Sequence, residues 1–247
     1  MAALPLDRRM TERLYLEDAY LAEAECVVVA AGQDGVVLDR TPFYARSGGQ
    51  PGDAGVLRWD GGEAGVTEAV KGNGDAIQHL LAPGTAMPTP GARVTAHFDW
   101  TRRHALMRMH TALHLMCSLL PGAAVTGGQI GADRSRLDLD LPESPDREAL
   151  DHGFAALIEA GHQVMAEWVD EAVLDSNPGL VRTLSVAPPR GTGRLRLVRI
   201  GEGLAPVELQ PCGGTHVRNT TEIIGVRVRK IENKGRQNRR IAIELVE

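Results

Sequence analysis

Short apolar segments rich in β-branched residues make up the N-terminal part of the chain, and turn-forming residues separate them. Residues 24–31 and 35–38 lie on either side of a Gly-Gln-Asp sequence, which predicts a hairpin. Further segments of the same kind follow near residues 56–59, 66–70 and 76–81. Short strands at a spacing of about 8–12 residues are typical of a small β-barrel, so this pattern limits the possible folds strongly.

A stretch rich in proline and glycine interrupts this pattern at residues 82–91, with three prolines and two glycines. Such a composition is typical of a boundary between domains. We therefore predict an N-terminal β-barrel domain with a glycine-rich loop over residues 1–91, and a second domain over residues 92–247.

The second part of the chain alternates predicted strands with two predicted helices. A strand at residues 93–98 precedes a helix from about residue 99 or 100 to residue 119, where Pro121 and Gly122 stop it. A second helix is predicted from residue 145 or 146 to about residue 168, with Ser144 as its N-cap. Further strands are predicted at residues 171–175, 195–200, 223–231 and 240–246. The fold class is therefore α+β, with an antiparallel sheet flanked by helices.

The composition excludes several classes of protein. Hydrophobic residues make up 43% of the chain and charged residues 24%, which argues against wholesale disorder. No apolar run reaches the roughly 18 residues that a membrane helix needs, and the start of the chain lacks the apolar segment of a secretory signal. Cys26, Cys117 and Cys212 are far apart and odd in number, which favours the reducing cytoplasm over a disulfide framework.

Charge is distributed unevenly, although the net charge of the whole chain is only -5. Residues 1–180 carry a net charge of -12 and residues 181–247 a net charge of +7. Local asymmetry matters more than the total, because fields between exposed charges are screened within about 10 Å. The densest basic stretch, residues 225–240, indicates a ribbon that faces nucleic-acid phosphates; the alternative is a solvated hairpin. The candidate contact residues are Arg227, Arg229, Lys234, Arg236, Arg239 and Arg240.

Two short motifs each pair two metal-ligand side chains four residues apart. In His-Thr-Ala-Leu-His, His110 and His114 lie on one face of the predicted helix, with Cβ atoms about 5–6 Å apart. In Cys-Gly-Gly-Thr-His, two glycines allow a turn that brings Cys212 and His216 around one ion. The two motifs together offer three nitrogens and one sulfur, a donor set suited to tetrahedral Zn²⁺. Each motif alone is more often a coincidence, and Cys117 is a competing ligand unless it is a buried core thiol.

The same residues exclude one mechanism. Zinc peptidases of the HExxH type place a glutamate beside the first histidine as general base, whereas this chain has Thr111 there. No acid lies between the two histidines. A reaction at this site therefore needs another base, a metal-bound water or a hydroxyl of the substrate.

Four segments, in the same order along nearly the whole chain, resemble the alanyl-tRNA editing proteins called AlaX and the editing domain of alanyl-tRNA synthetase. The segments are TPFYARSGGQPGDAG at 41–55, HTALHL at 110–115, VTGGQIGADRSRLDLD at 125–140 and PCGGTHVRNTTEIIG at 211–225. The chain resembles the free-standing type with two domains, so we expect no aminoacylation domain and no ATP binding.

This resemblance implies that His110, His114, Cys212 and His216 bind one Zn²⁺ per chain. It also implies an N-terminal β-barrel, a C-terminal editing domain and a role in translation fidelity. The implied reaction is hydrolysis of the ester in mischarged tRNA(Ala), chiefly the seryl form, with the glycyl form as a second candidate. We accordingly expect mischarged tRNA(Ala) as the partner, neither DNA nor a membrane, and a cytoplasmic location; the oligomeric state is left open.

Candidate substrate-binding residues follow from the need to spare alanine. A site that hydrogen-bonds a seryl hydroxyl leaves polar groups unpaired when alanine is bound. Gln129, Thr126 and Thr215 are the candidates for these groups, although Gln129 also fits an ordinary exposed position. Gly48 and Gly49 allow close approach of a backbone or phosphate, or else supply the positive φ of a barrel turn. The resemblance implies that their loop borders the editing pocket.

Two other functions fit the same residues. A non-catalytic RNA-binding module fits because a closed set of four protein ligands is typical of structural zinc. A metallohydrolase of small esters or amides fits the metal chemistry, but the basic stretch near the C-terminus argues against it.

Overall fold

The computed structural model describes residues 10–184, 188 and 190–246. The chain separates into two compact units, with the division after Arg103. The domain ranges predicted from the sequence, 1–91 and 92–247, place their boundary earlier and remain a prediction about how the chain divides into domains.

A closed barrel of six antiparallel strands forms the first unit, with the order β2-β3-β7-β6-β5-β8. This confirms the predicted N-terminal barrel. The two remaining strands, β1 and β4, pair with each other in parallel. The strands are β1 (Glu12–Arg13), β2 (Glu23–Gly32), β3 (Gly35–Leu38), β4 (Arg40–Thr41), β5 (Gly55–Trp59), β6 (Gly62–Lys71), β7 (Ile77–Leu81) and β8 (Arg93–Phe98).

The core of the first unit is mostly apolar, and the polar groups buried with it include one ion pair. Val36, Leu38 and Leu57 are among the side chains that fill it without measurable exposure. Arg103 is also fully buried, and its guanidinium makes a forked ion pair with the carboxylate of Asp53. Because a buried charge is tolerated only when it is paired, these two residues depend on each other.

The second unit contains two antiparallel sheets, with the strand orders β14-β15-β10-β9 and β11-β12-β13. Helix α1 starts just before the division between the units and continues into the second. The elements are α1 (Trp100–Leu119), β9 (Ala124–Gln129), β10 (Arg134–Asp140), α2 (Arg147–Glu159), β11 (Val164–Asp170), α3 (Val173–Ser176), β12 (Arg194–Ile200), β13 (Glu208–Pro211), β14 (Val226–Asn233) and β15 (Asn238–Leu245). The α+β class predicted from the sequence is confirmed.

Helix α1 is buried on nearly all sides. Leu106, Met107, Met109 and Leu115 each have at most 1% of their surface exposed. Because most of this helix is buried, the polar side chains of its central turns, His110, Thr111 and His114, lie in the interior with it.

The second helix was predicted too long. Helix α2 ends at Glu159, and Gly161, with φ +65°, reverses the chain after it. The residues beyond it form β11 rather than a continuation of the helix. Asp146, not Ser144, is the N-cap, because its carboxylate accepts a hydrogen bond from the Ala149 N–H at 2.8 Å. The predicted strand at 171–175 is also wrong, since the short helix α3 lies there.

The hairpin predicted near the end of the chain is confirmed as the antiparallel pair β14 and β15. Its second strand lies inside the four-stranded sheet, between β14 and β10. Among the described residues, no helix has the length and apolar character needed to cross a membrane.

Candidate metal centre

Four side chains from two distant parts of the second unit meet at one point. His110 and His114 project from α1, and Cys212 and His216 lie in the loop that follows β13. Their candidate ligand atoms all lie within 4.8 Å of one another. The Cys212 Sγ is 3.6 Å from His110 Nε2 and 3.4 Å from His216 Nε2. The structure thus brings together the four residues that the two motifs single out.

The loop that carries Cys212 is held by hydrogen bonds to its backbone. Arg196, on β12, donates from Nη1 to the Cys212 carbonyl at 2.7 Å and to the Gly214 carbonyl at 3.1 Å. The Gly214 N–H in turn donates to Cys212 Sγ at 3.3 Å. Through these contacts Arg196 fixes the turn to the sheet. The sequence motifs gave no indication of this arginine.

Two further side chains contact the outer nitrogens of the histidine rings. The Gln210 amide lies 2.9 Å from His114 Nδ1, and the Thr111 hydroxyl lies 3.2 Å from His216 Nδ1. Gln210 and Thr111 are both buried. Metal-bound histidines almost always use their second nitrogen in this way. Sequence reasoning missed Gln210, because a polar residue in a short strand gives no signal until the strand's partners are known.

Burial sets the protonation of the cluster. It lowers the pKa of His114 to about 3, with smaller contributions in the same direction from the Arg196 and Arg182 guanidiniums. It also holds the pKa values of His110 and His216 well below their usual range. The three imidazoles are therefore neutral at pH 7 and have lone pairs for a metal. Burial raises the pKa of the Cys212 thiol, so its deprotonation needs the help of a cation.

The donor set fits Zn²⁺, which favours four-coordinate sites built from imidazole and thiolate. Cys117, the competing ligand, does not belong to this group. It is a buried core thiol whose pKa burial raises to about 12. Cys212 is therefore the candidate ligand thiol, and Cys117 is a structural thiol.

A buried acid lies two residues before Gln210 on β13. Glu208 is 3% exposed, and the Arg182 Nη2 lies 3.4 Å from its Oε2. Burial raises the pKa of Glu208, while Arg182 opposes that change. Arg182 also donates to the Cys117 carbonyl at 3.2 Å, so the ion pair joins β13 to α1. Sequence reasoning missed this pair as well.

The residues predicted to bind substrate lie in different settings. Thr215 is fully buried and lies between Cys212 and His216 in the sequence. Thr126 lies at a bulge in β9, with its hydroxyl 3.3 Å from Asn238 Oδ1. Gln129 is exposed, and its side chain accepts a hydrogen bond of 3.4 Å from Arg136. In the first unit, Gly48 and Gly49 form a tight turn with φ values of +55° and +81°.

The six basic candidates also differ. Arg227, Arg229, Lys234 and Arg236 are exposed. The Arg227 guanidinium forms an ion pair of 2.7 Å with Glu244, and the Arg229 guanidinium lies 3.9 Å from the same carboxylate. Arg240 instead holds Asp138 with two hydrogen bonds of 2.7 and 2.9 Å. Arg239 is 7% exposed and donates to backbone carbonyls, including that of Gly235 at 3.0 Å.

Two curated proteins similar to this chain align with nearly all of it. It is 39% identical over 251 residues to the alanyl-tRNA editing protein AlaX-M of Methanosarcina acetivorans, which covers 96% of this chain and 100% of the relative. The AlaX-M protein of Methanosarcina mazei is also 39% identical, over 96% of this chain and 98% of that protein. The chain belongs to the alanyl-tRNA editing proteins.

The family is related to alanine–tRNA ligases, and this chain shows that relation. It is 34% identical over 239 residues to the ligase of Pyrobaculum arsenaticum, which covers 92% of this chain but 26% of the ligase. Residues 16–102 match the family described as class II tRNA synthetases (A). Residues 195–242 match the family described as the second additional domain of threonyl and alanyl tRNA synthetases, and this range includes Cys212 and His216.

Proposed function

We propose that the chain is a trans-editing hydrolase that deacylates mischarged tRNA(Ala). Its preferred substrate is Ser-tRNA(Ala), and Gly-tRNA(Ala) is the second candidate. The observation that carries the proposal is the buried cluster of three imidazoles and one thiol in a member of the alanyl-tRNA editing proteins. The role is translation fidelity, because an alanine pocket rejects serine and glycine weakly.

His110, His114, Cys212 and His216 would hold one Zn²⁺. When bound, zinc supplies Lewis-acid polarisation of an ester carbonyl or lowers the pKa of a water molecule. The observed donor types and their neutral imidazoles support this choice of metal.

The chain's own residues contribute positioning more than proton transfer. Thr111 occupies the place of the HExxH glutamate, but its hydroxyl donates to the Met107 carbonyl at 2.9 Å. Glu208 is buried and engaged with Arg182. Proton transfer therefore falls to water or to the ribose hydroxyl next to the ester, which suits the lability of an aminoacyl ester.

Recognition of the seryl hydroxyl is assigned to Gln129, Thr126 and Thr215. Thr215 has the strongest support, because it is fully buried and immediately precedes His216, one of the four candidate ligands, in the sequence. Gly48 and Gly49 remain candidates for contact with the substrate backbone through their glycine-rich turn. A polar partner for the seryl hydroxyl disfavours alanine, which leaves that partner unpaired.

Contact with tRNA is assigned to the exposed cations of the C-terminal part. Arg227, Arg229, Lys234 and Arg236 are the best supported because they are exposed, whereas Arg239 is buried and Arg240 is half-buried against Asp138. Replacing Arg227 and Arg229 by glutamine is expected to weaken tRNA binding and to reduce its salt dependence. We also propose a cytoplasmic location, which agrees with three cysteines that form no disulfide.

A deacylation panel tests the function. Purified protein with measured zinc content is mixed with Ser-, Gly- and Ala-tRNA(Ala), and with a small seryl ester that lacks tRNA. We expect rapid loss of the seryl ester from tRNA(Ala), slower loss of the glycyl ester and little loss of the alanyl ester. Failure of zinc-loaded protein to cleave Ser-tRNA(Ala) would refute the proposal. Equal activity on the small ester would favour a general esterase.

A non-catalytic RNA-binding module with structural zinc is the second candidate. The observation that favours it is the burial of the three histidines of the cluster, of which none is more than 8% exposed. A structural ion contributes directly to folding. Chelation should therefore unfold the second unit if the zinc is structural, and should remove activity while sparing the secondary structure if the site is catalytic.

A further inference from the structure

The hydroxyl of Thr111 makes three contacts inside the core, and the directions of the two contacts with backbone groups are fixed by chemistry. It lies 2.9 Å from the Met107 carbonyl, one turn earlier on α1, and this carbonyl can only accept. The hydroxyl proton therefore points to Met107. The Val217 N–H lies 3.3 Å from the same oxygen and can only donate. One lone pair of the hydroxyl is thus occupied by a backbone donor, and one remains.

The remaining lone pair faces His216 Nδ1 at 3.2 Å. Since the hydroxyl proton is already used, Nδ1 must carry the proton in this contact. A neutral imidazole has only one N–H, so its other nitrogen, Nε2, carries the lone pair. That nitrogen is the one directed at the cluster, 3.4 Å from Cys212 Sγ.

We infer that Thr111 is a positioning residue for the metal centre, because its hydroxyl fixes the His216 proton on Nδ1 and directs the Nε2 lone pair to the metal. This inference rests on the proposed function in that it assumes a metal at the cluster. Thr111 has no exposed surface, and Val217 is 1% exposed, so water does not replace the hydroxyl.

Gln210 does not fix a proton in the same way. Its amide, 2.9 Å from His114 Nδ1, presents either a donor or an acceptor after rotation by half a turn. It therefore accommodates both tautomers of His114. The threonine hydroxyl lacks this freedom, because the Met107 carbonyl and the Val217 N–H determine its orientation.

A matched pair of valine substitutions tests the inference. Thr111→Val keeps the shape of the side chain and removes the hydroxyl. The control is Thr220→Val, because Thr220 is equally buried, donates to the Leu157 carbonyl at 2.9 Å and accepts from the His162 N–H at 2.9 Å. Both variants lose a buried hydroxyl that bridges backbone groups, but Thr220 makes no contact with the cluster in its hydrogen bonds. Thr111→Ser restores the hydroxyl.

Two readouts are needed. Long-range proton–nitrogen NMR of ¹⁵N-labelled, metal-free protein gives the tautomer of His216, and competition with a chelator gives the affinity for Zn²⁺. We expect the Nδ1–H tautomer in the wild type and a mixture in Thr111→Val, with Zn²⁺ affinity reduced by about 10–100-fold. Thr111→Ser and Thr220→Val should bind Zn²⁺ within about threefold of the wild type, since each keeps a hydroxyl at residue 111.

Wild-type affinity in a folded Thr111→Val variant would overturn the inference, as would an Nε2–H tautomer in the wild type. The second result needs no variant, so it decides the matter even if Thr111→Val does not fold. A wild-type protein that binds no zinc would instead refute the proposed metal centre. In that case the tautomer measurement would still report on Thr111 separately.

Discussion

Both units bury histidine, but they use the two ring nitrogens differently. In the barrel, His79 is fully buried, with Nε2 2.8 Å from the Thr41 hydroxyl and Nδ1 3.0 Å from the Val36 carbonyl. In the second unit, His110 and His216 have ring centroids only 4.2 Å apart, and each directs Nε2 to the Cys212 thiol.

Burial alone does not distinguish a structural histidine from a ligand. It lowers the pKa of His79 to about 4 and that of His114 to about 3, so the two sites are alike in this respect. The difference lies in what the nitrogens face. The barrel satisfies both nitrogens of His79 within the protein, whereas the cluster places several potential ligand atoms around one point.

Removing the thiol of the cluster should produce the largest effect. Cys212→Ala is expected to reduce deacylation of Ser-tRNA(Ala) by at least about 10⁴-fold, because the proposed zinc ion would lose a ligand and the proposed reaction would lose its Lewis acid. Zinc content and single-turnover deacylation measure this. His79→Gln is the control and should retain zinc. A Cys212→Ala protein with full zinc content and activity would contradict the ligand assignment.

Breaking the buried ion pair of the barrel should affect stability and leave the metal centre intact. Asp53→Asn leaves Arg103 without its partner charge in the core, so we expect a loss of about 3–5 kcal/mol in the free energy of unfolding. Urea denaturation measures it. The control is Glu63→Gln, which removes the exposed partner of Arg58 and should cost under about 1 kcal/mol. Similar losses in the two variants would show that burial does not govern the pair.

His79 should make the barrel sensitive to acid. Its pKa is about 4 in the fold and near 6.5 when unfolded, so below pH 6.5 the unfolded chain binds a proton that the barrel excludes. Neutral His79 makes its full contribution to the free energy of unfolding above pH 6.5. This contribution is lost as the pH falls towards 4, by about 3 kcal/mol in total.

Denaturation of the barrel at several pH values checks this expectation. The comparison is with His79→Gln, which cannot titrate in this range. The difference in pH dependence between the two proteins isolates His79 from the histidines of the second unit. Parallel curves from pH 6.5 to 4 would show that His79 is not buried in its neutral form.

Changing the amide beside His114 should have the smallest effect. Gln210→Leu removes the polar group that faces Nδ1, so we expect zinc to bind about tenfold more weakly. Chelator competition measures the affinity, and Gln210→Asn tests whether a shorter amide still reaches the ring. Unchanged zinc affinity in Gln210→Leu would show that the outer nitrogen of His114 needs no protein partner.

The sequence predicted the parts that depend on local patterns. The barrel, helix α1 and the four clustered residues follow from strand spacing, helical periodicity and i,i+4 pairs. The second helix was extended too far, because apolar residues such as Val164 and Trp168 continue beyond Gly161 at spacings that also suit a helix. The helix ends before Gly161, which has a positive φ, and the periodicity of apolar residues does not predict that backbone conformation.

Features that depend on pairing between distant residues were missed. Arg196 and Gln210 contact the metal-ligand cluster or its loop because the register between β12 and β13 places both residues beside it. Strand β8 follows the proline-rich stretch, yet it closes the barrel by pairing with β2 and β5. A single sequence does not encode such long-range partners in any local pattern, which is why the boundary at residue 91 rests on composition alone.

Strand β15 occupies an inner position of its sheet, and this has a consequence for synthesis on the ribosome. The barrel strands are complete once Phe98 has emerged, so that unit can fold while translation continues. The second unit folds later, because its four-stranded sheet is incomplete until β15, which ends at Leu245, has been made. Cys212 is also made 102 residues after His110. Binding of the proposed zinc ion would therefore be a late event. Until then the nascent protein would carry the Cys212 thiol without its proposed metal, so we expect oxidants and metal scarcity to act most strongly on newly made molecules.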